Sequence, residues 1–137
     1  MTLELRIDGP YSDEYTVEVV WGIAEAVRVV NHAAMSPSGL TRPQTVNAAA
    51  TALGLAAMRL EATLKRLTTF LIDQQEAGRL AAAGAGSTAG AVANTAASLD
   101  QARSVAGQLK LALYGAASAT NDLVVASPAT GAEVKRS

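Results

Sequence analysis

The residues of this chain best suited to proton chemistry lie in its first third. His32 is the single histidine, and Glu25 and Arg28 share its face of a helical pattern. General acid–base work needs a group whose proton affinity is held near neutrality by burial or by a charged neighbour. A lone histidine at a helix end is far more often solvent-facing or structural, so no catalytic residue is predicted. Asp13, Glu14, Glu18 and Glu25 supply carboxylates, but they do not form the inward Glu plus Glu-x-x-His set of a carboxylate di-metal bundle. With one histidine and no cysteine, a zinc set is excluded as well. No metal, no cofactor and no enzyme is therefore expected.

Gly84-Ala85-Gly86-Ser87-Thr88 has the glycine content of a phosphate loop. It follows a helical pattern instead of a strand and lacks Gly-Lys-Ser/Thr, so it reads as a turn. Gly86 and Gly90 make a GxxxG, a spacing that matters in lipid and is weak in a water-exposed hairpin. Arg59, Lys65, Arg66 and Arg79, with Arg103 and Lys110 opposite, suggest a basic stripe, but Glu61, Asp73, Glu76 and Asp100 interrupt it. A solvated mixed-charge face is the better reading, because no aromatic interleaving or DNA-reading motif accompanies it.

Composition sets the outer limits on the elements that hold these residues. Half the residues are hydrophobic, yet aromatics make up only 4%, and alanine supplies much of the rest. Alanine is the best helix former, and glycine and proline cluster as punctuation, which predicts an all-α protein with a core of small, close-packed side chains. A chain of 137 residues suits one domain, expected over 1–126, with a polar, disordered tail over 127–137. Eleven basic and twelve acidic residues leave a formal net charge of -1, which offers no global attraction to nucleic acid or to anionic lipid. The absence of cysteine suits a reducing cytoplasm. Leu80 to Leu99 carries no charge, but its glycine, serine, threonine and asparagine content reads as a corner between helices, not a membrane span.

Thr41 to Leu80 is the longest patterned stretch. Thr41-Arg42-Pro43-Gln44 reads as a capping box, with the Thr41 hydroxyl and the Gln44 side chain each serving an orphan N–H. Val46, Ala50, Leu53, Ala57, Leu60, Leu64, Leu67 and Leu71 then follow with steps of four and three, the spacing of a coiled-coil seam. A second seam runs Val92, Thr95, Leu99, Ala102, Ala106, Leu109, Leu113, Ala116, Thr120, Leu123, from a helix start near Ser87 or Thr88. Two matched seams across a glycine-rich turn predict a long antiparallel hairpin. Ahead of it, a shorter helix is expected from Ser12 or Asp13 to Met35, completing a three-helix bundle. Leu3 to Ile7 is expected to lie extended across the bundle, the alternative being a hairpin with Thr16 to Val19.

The run Ala24 to Ala34, followed by Gly39-Leu40, Pro43, Arg59-Leu60, the Leu64/Leu67 pair and Ala77-Gly78-Arg79-Leu80, resembles a group of small helical proteins common in actinobacteria. Such proteins are often encoded in plasmid-like or other mobile-element neighbourhoods. The resemblance implies no particular activity or functional residue.

Length supplies the functional expectation. Helices of roughly 35 to 40 residues would run near 55 Å, against roughly 33 Å for the first helix. The distal half of the hairpin, around Phe70, Ile72, Leu80 and Val105, is therefore the expected interface, since a contiguous exposed apolar patch marks a contact site. A homo-oligomer or a protein partner would cover it. The function expected is that of a non-enzymatic, cytoplasmic assembly protein, without membrane contact. A nucleic-acid-binding accessory protein of a mobile element is the disfavoured alternative.

Overall fold

The computed structural model describes residues 3–84 and 86–126; the tail expected over 127–137 lies outside them. Three helices, α1 (Asp13–Met35), α2 (Pro43–Glu76) and α3 (Thr88–Thr120), make the fold all-α, with no strand among the described residues. The chain divides into two compact units between Thr41 and Arg42.

In the first unit, Ser12 caps α1 by accepting a hydrogen bond from the Tyr15 N–H at 3.0 Å. Asp13 and Glu14 in the first turn face the positive end of the helix dipole. Tyr15 holds the preceding segment in place: its hydroxyl accepts from the Arg6 N–H at 2.7 Å and donates to the Glu4 carbonyl at 2.9 Å. The Arg6 guanidinium lies 4.7 Å from the centre of the same ring, a cation–π contact. Residues 3–6 thus lie along α1 without strand pairing, and Thr16 to Val19 are helical. The hairpin alternative for these segments is excluded, because the 16–19 backbone is already satisfied within the helix.

The second unit is the hairpin. The capping box expected at Thr41 does not form: α2 begins at Pro43, its N-cap is Arg42, and no side chain caps it. The reason is local. A residue before proline is driven out of the helical region, and Arg42 sits at φ -136, ψ 146. The cap position therefore falls on Arg42, which has no side-chain acceptor, and Thr41 lies one residue too early. At the other end, Gly78 adopts φ 70, its N–H donating to the Gln75 carbonyl and that of Arg79 to the Gln74 carbonyl. This Schellman closure stops α2 at Glu76, short of Leu80. Ser87 caps α3, accepting from the Gly90 N–H at 2.9 Å.

The two helices, of 34 and 33 residues, run antiparallel. Asn47 near the start of α2 donates from Nδ2 to the Ala117 carbonyl and to Thr120 Oγ1 near the end of α3. Glu61 at mid-helix reaches Lys110, with 3.3 Å between Oε1 and Nζ. A Cβ on Gly54 would lie 2.6 Å from Tyr114 Cε1, so glycine is what permits the close approach there.

The line of contact differs from the expected seams by one position in every second step. In α2 it runs Asn47, Ala50, Gly54, Ala57, Glu61, Leu64, Thr68, Leu71; in α3 it runs Val92, Ala96, Leu99, Arg103, Ala106, Lys110, Leu113, Ala117. Ala50, Ala57, Leu64 and Leu71 are common to both readings, as are Val92, Leu99, Ala106 and Leu113. Val46, Leu53, Leu60 and Leu67, expected inside, are exposed. The buried residues of the seam are Ala50, Gly54, Ala57, Thr68, Val92, Ala106 and Ala117, nearly all small. Small side chains let the helix axes approach, and Asn47 and the Glu61–Lys110 pair take up partners across the seam.

Candidate functional site

A displacement of one residue turns a side chain by about 100° around a helix, so the new seam decides what each face of the hairpin presents. Residues three positions beyond the shared rows lie about a quarter turn from the seam. Because the helices are antiparallel, this offset points to the same side of the hairpin in both. That side therefore carries Val46, Leu53, Leu60 and Leu67 from α2 with Thr95, Ala102, Leu109 and Ala116 from α3. The next rows outward are Ala49, Ala56, Thr63 and Phe70 on α2 and Ala91, Ser98, Val105 and Ala112 on α3. None of these residues is charged.

Leu53, Leu60 and Leu67 are 44%, 42% and 46% exposed, and Phe70 is 58% exposed. Leu109 and Val105 are about half exposed on α3. This leucine row is thus turned outward, while alanine, glycine, polar residues and the leucines of the shared rows fill the contact between helices. This side is uncharged and largely apolar, with Thr63, Thr95 and Ser98 as its polar members.

The opposite side has different chemistry. Positions one beyond the shared rows place Met58, Lys65 and Ile72 on α2 beside Asp100, Gly107 and Tyr114 on α3. Glu61 and Lys110 reach across the hairpin here with side chains 30% and 26% exposed. Glu61 Oε1 is buried without a hydrogen bond of good geometry, and a Cβ on Gly107 would crowd it at 3.0 Å. Arg103 lies 3.7 Å from Asp100. Arg103 and Lys110, two of the six basic residues noted in the sequence, are accordingly tied to neighbouring carboxylates.

The four residues expected at the interface do not share one surface. Phe70 and Val105 flank the uncharged side on α2 and α3. Ile72 belongs to the mixed side. Leu80 is half-buried at the turn end, lining an apolar hollow of about 170 Å³ with Leu71 and Val92. The residues the sequence reading placed elsewhere are Leu53, Leu60, Leu67 and Leu109, which it assigned to the seam. Gly54, Glu61 and Lys110 were the available signals: a close-approach glycine and a complementary charge pair both belong at a helix contact.

The remaining candidates resolve into local structure. Arg28 donates twice to Glu25 in the same exposed helix turn, and this hydrogen bonding holds the Glu25 carboxyl below the ordinary carboxylate range. That direction is opposite to what a general base working near neutrality requires. His32 is exposed in the last turn of α1. Among the described residues no group of three or more His, Asp or Glu side chains is placed to hold a metal. In the glycine-rich turn, the Ser87 hydroxyl is engaged by its cap, and Thr88 Oγ1 accepts from the Ala82 N–H at 3.0 Å. No helix among the described residues is long and apolar enough to cross a membrane. No known protein family, curated protein or solved structure matches the chain.

Proposed function

We propose that this chain is a non-enzymatic, cytoplasmic helical assembly protein that works by docking through the uncharged side of the α2/α3 hairpin. One observation carries the reading: the hairpin closes on a seam of alanine, glycine, polar residues and the shared Leu64, Leu71, Leu99 and Leu113, and turns a second row, Leu53, Leu60 and Leu67, outward. Burying a leucine side chain contributes about 1.5–3 kcal/mol, so a second surface laid on this row gains what the hairpin contact leaves unused. The absence of charge removes the desolvation cost that usually opposes such a contact.

The test compares the wild type with Leu60→Glu plus Leu67→Glu by light scattering at tens of micromolar, with circular dichroism as the control. The wild type is expected to associate, and the double variant to remain helical and lose association. A wild type that stays monomeric and captures no protein partner would sink the proposal. The alternative, an accessory protein that binds nucleic acid, predicts tight gel shifts that weaken steeply with salt. Pairing of Arg103 with Asp100 and of Lys110 with Glu61 makes that outcome the less favoured one.

A further inference from the structure

We infer that the occupant of the uncharged side is the same side of a second copy, joined by a two-fold axis parallel to the helices so that α2 of each chain lies on α3 of the other. This rests on the docking proposal and specifies its partner and geometry. The two halves of the surface differ in size. The α2 half is built around Leu53, Leu60 and Leu67. The α3 half is built largely of alanine, with Ala102 and Ala116 on either side of Leu109.

Two in-plane two-fold axes can bring this surface onto its copy. An axis perpendicular to the helices lays α2 on α2 and α3 on α3, setting leucine against leucine and leaving alanine facing alanine across a gap. An axis parallel to the helices keeps every residue at its own height, so Leu53 and Leu67 meet the levels of Ala116 and Ala102 while Leu60 meets Leu109 at the centre, which fills space more evenly at native packing density. Either axis makes every adjacent helix pair antiparallel, the favourable dipole arrangement of an up-down four-helix bundle, so the choice between them rests on side-chain size. An isologous contact must be complementary to itself, and a surface without charge places no like charges opposite one another.

The size is sufficient. At 1.5 Å per residue and about 9 Å between helix axes, the side is about 50 Å long and nearly 20 Å wide, or on the order of 900 Å² per chain. Stable protein contacts bury about 800 Å² per partner.

The chain has no cysteine, so introduced cysteines report on one contact at a time in the full-length protein. Leu60 is near the midpoint of α2, where an axis perpendicular to the helices would bring it against its own copy. Full-length chains carrying Leu60→Cys are oxidised alone, and also after mixing in turn with differently tagged chains carrying Ala102→Cys, Val105→Cys or Leu109→Cys. The expected result is little disulfide with Leu60→Cys alone and a mixed-tag disulfide dimer with at least one α3 variant. A Leu60–Leu60 disulfide without mixed-tag product would overturn the axis while leaving the docking surface intact. Association that survives Leu60→Glu plus Leu109→Glu, but is lost with Met58→Glu plus Ile72→Glu, would overturn both, by moving the contact to the mixed side. A wild-type monomer whose uncharged side is covered within its own chain or by another protein would overturn the second-copy assignment. Circular dichroism of each variant separates lost association from lost folding.

Discussion

The two sides of the α2/α3 hairpin flank one seam yet are built from opposite materials. One carries Leu53, Leu60, Leu67 and Leu109 without a charge; the other carries Met58, Lys65, Ile72 and Asp100, with Glu61 and Lys110 reaching across it. On the mixed side, Glu61 pairs with Lys110 and Arg103 with Asp100 within the chain. The uncharged side has no such internal solution, and its leucines remain about half exposed. The difference separates two parts of one helix pair: close approach at Gly54 and the Glu61–Lys110 pair set the register of α2 on α3, while Leu53, Leu60 and Leu67 lie outside that contact, where the proposed docking would use them.

The largest expected effect tests whether the uncharged side is covered in solution. Leu60→Ala should cost about 2–3 kcal/mol if a second surface buries the side chain, since Leu→Ala costs about 2–5 kcal/mol in a core. Met58→Ala, on the mixed side, should cost less than about 1 kcal/mol, as surface substitutions usually do. Chemical denaturation of both variants at one protein concentration provides the measurement. Equal small losses would erase the distinction between the two sides.

Next comes the seam that both sides share. Gly54→Ala adds a Cβ within 2.6 Å of the Tyr114 ring, so Tyr114 must move toward the mixed side or the helices must separate. Overpacking of this kind costs about 1–3 kcal/mol, against a gain of about 1 kcal/mol from helix propensity. A net loss is expected in thermal unfolding. A net gain would mean that the helices do not approach closely at Gly54, and that the leucine row faces inward after all.

A smaller loss is expected from the pair on the mixed side. Glu61→Gln removes the attraction to Lys110, whose side chain is 26% exposed, and such partly solvated pairs contribute up to about 1 kcal/mol. The effect should shrink in high salt. A salt-independent loss would point to packing against Gly107 as the main role of Glu61.

Much of this architecture was legible in the residue pattern, for identifiable reasons. Helical class, the antiparallel hairpin and the starts of α1 and α3 follow from alanine content, matched periodicities and the serines at Ser12 and Ser87. The rotation of each hairpin helix did not follow, because steps of three and four satisfy two adjacent seams equally. Ala50, Ala57, Leu64 and Leu71 fit either one. Counting apolar residues selects Leu53, Leu60 and Leu67 as the inner partners; close approach at Gly54 and the Glu61–Lys110 pair select the neighbouring rows. A pattern that asks only which residues are apolar assumes that one contact must bury them all. Here the outward surface could be recognised only after the seam was known.

The smallest effects concern how the two hairpin helices begin. Ser87 accepts from the Gly90 N–H, so Ser87→Ala should cost about 1 kcal/mol, a typical loss for a side-chain cap. Thr41→Ala should change stability by less than about 0.5 kcal/mol, the usual range for a surface position without a special role. The contrast follows from Pro43, which holds Arg42 extended and moves the cap position away from Thr41. Replacing Pro43 with alanine relieves that restriction on Arg42. In the Pro43→Ala background Thr41 becomes able to cap, and Thr41→Ala should then cost more than it does in the wild type. Thermal unfolding of the two single variants and the double variant measures this coupling. Additive effects would show that proline is not what displaces the cap, and a full cap-sized loss from Thr41→Ala alone would return the start of α2 to Thr41.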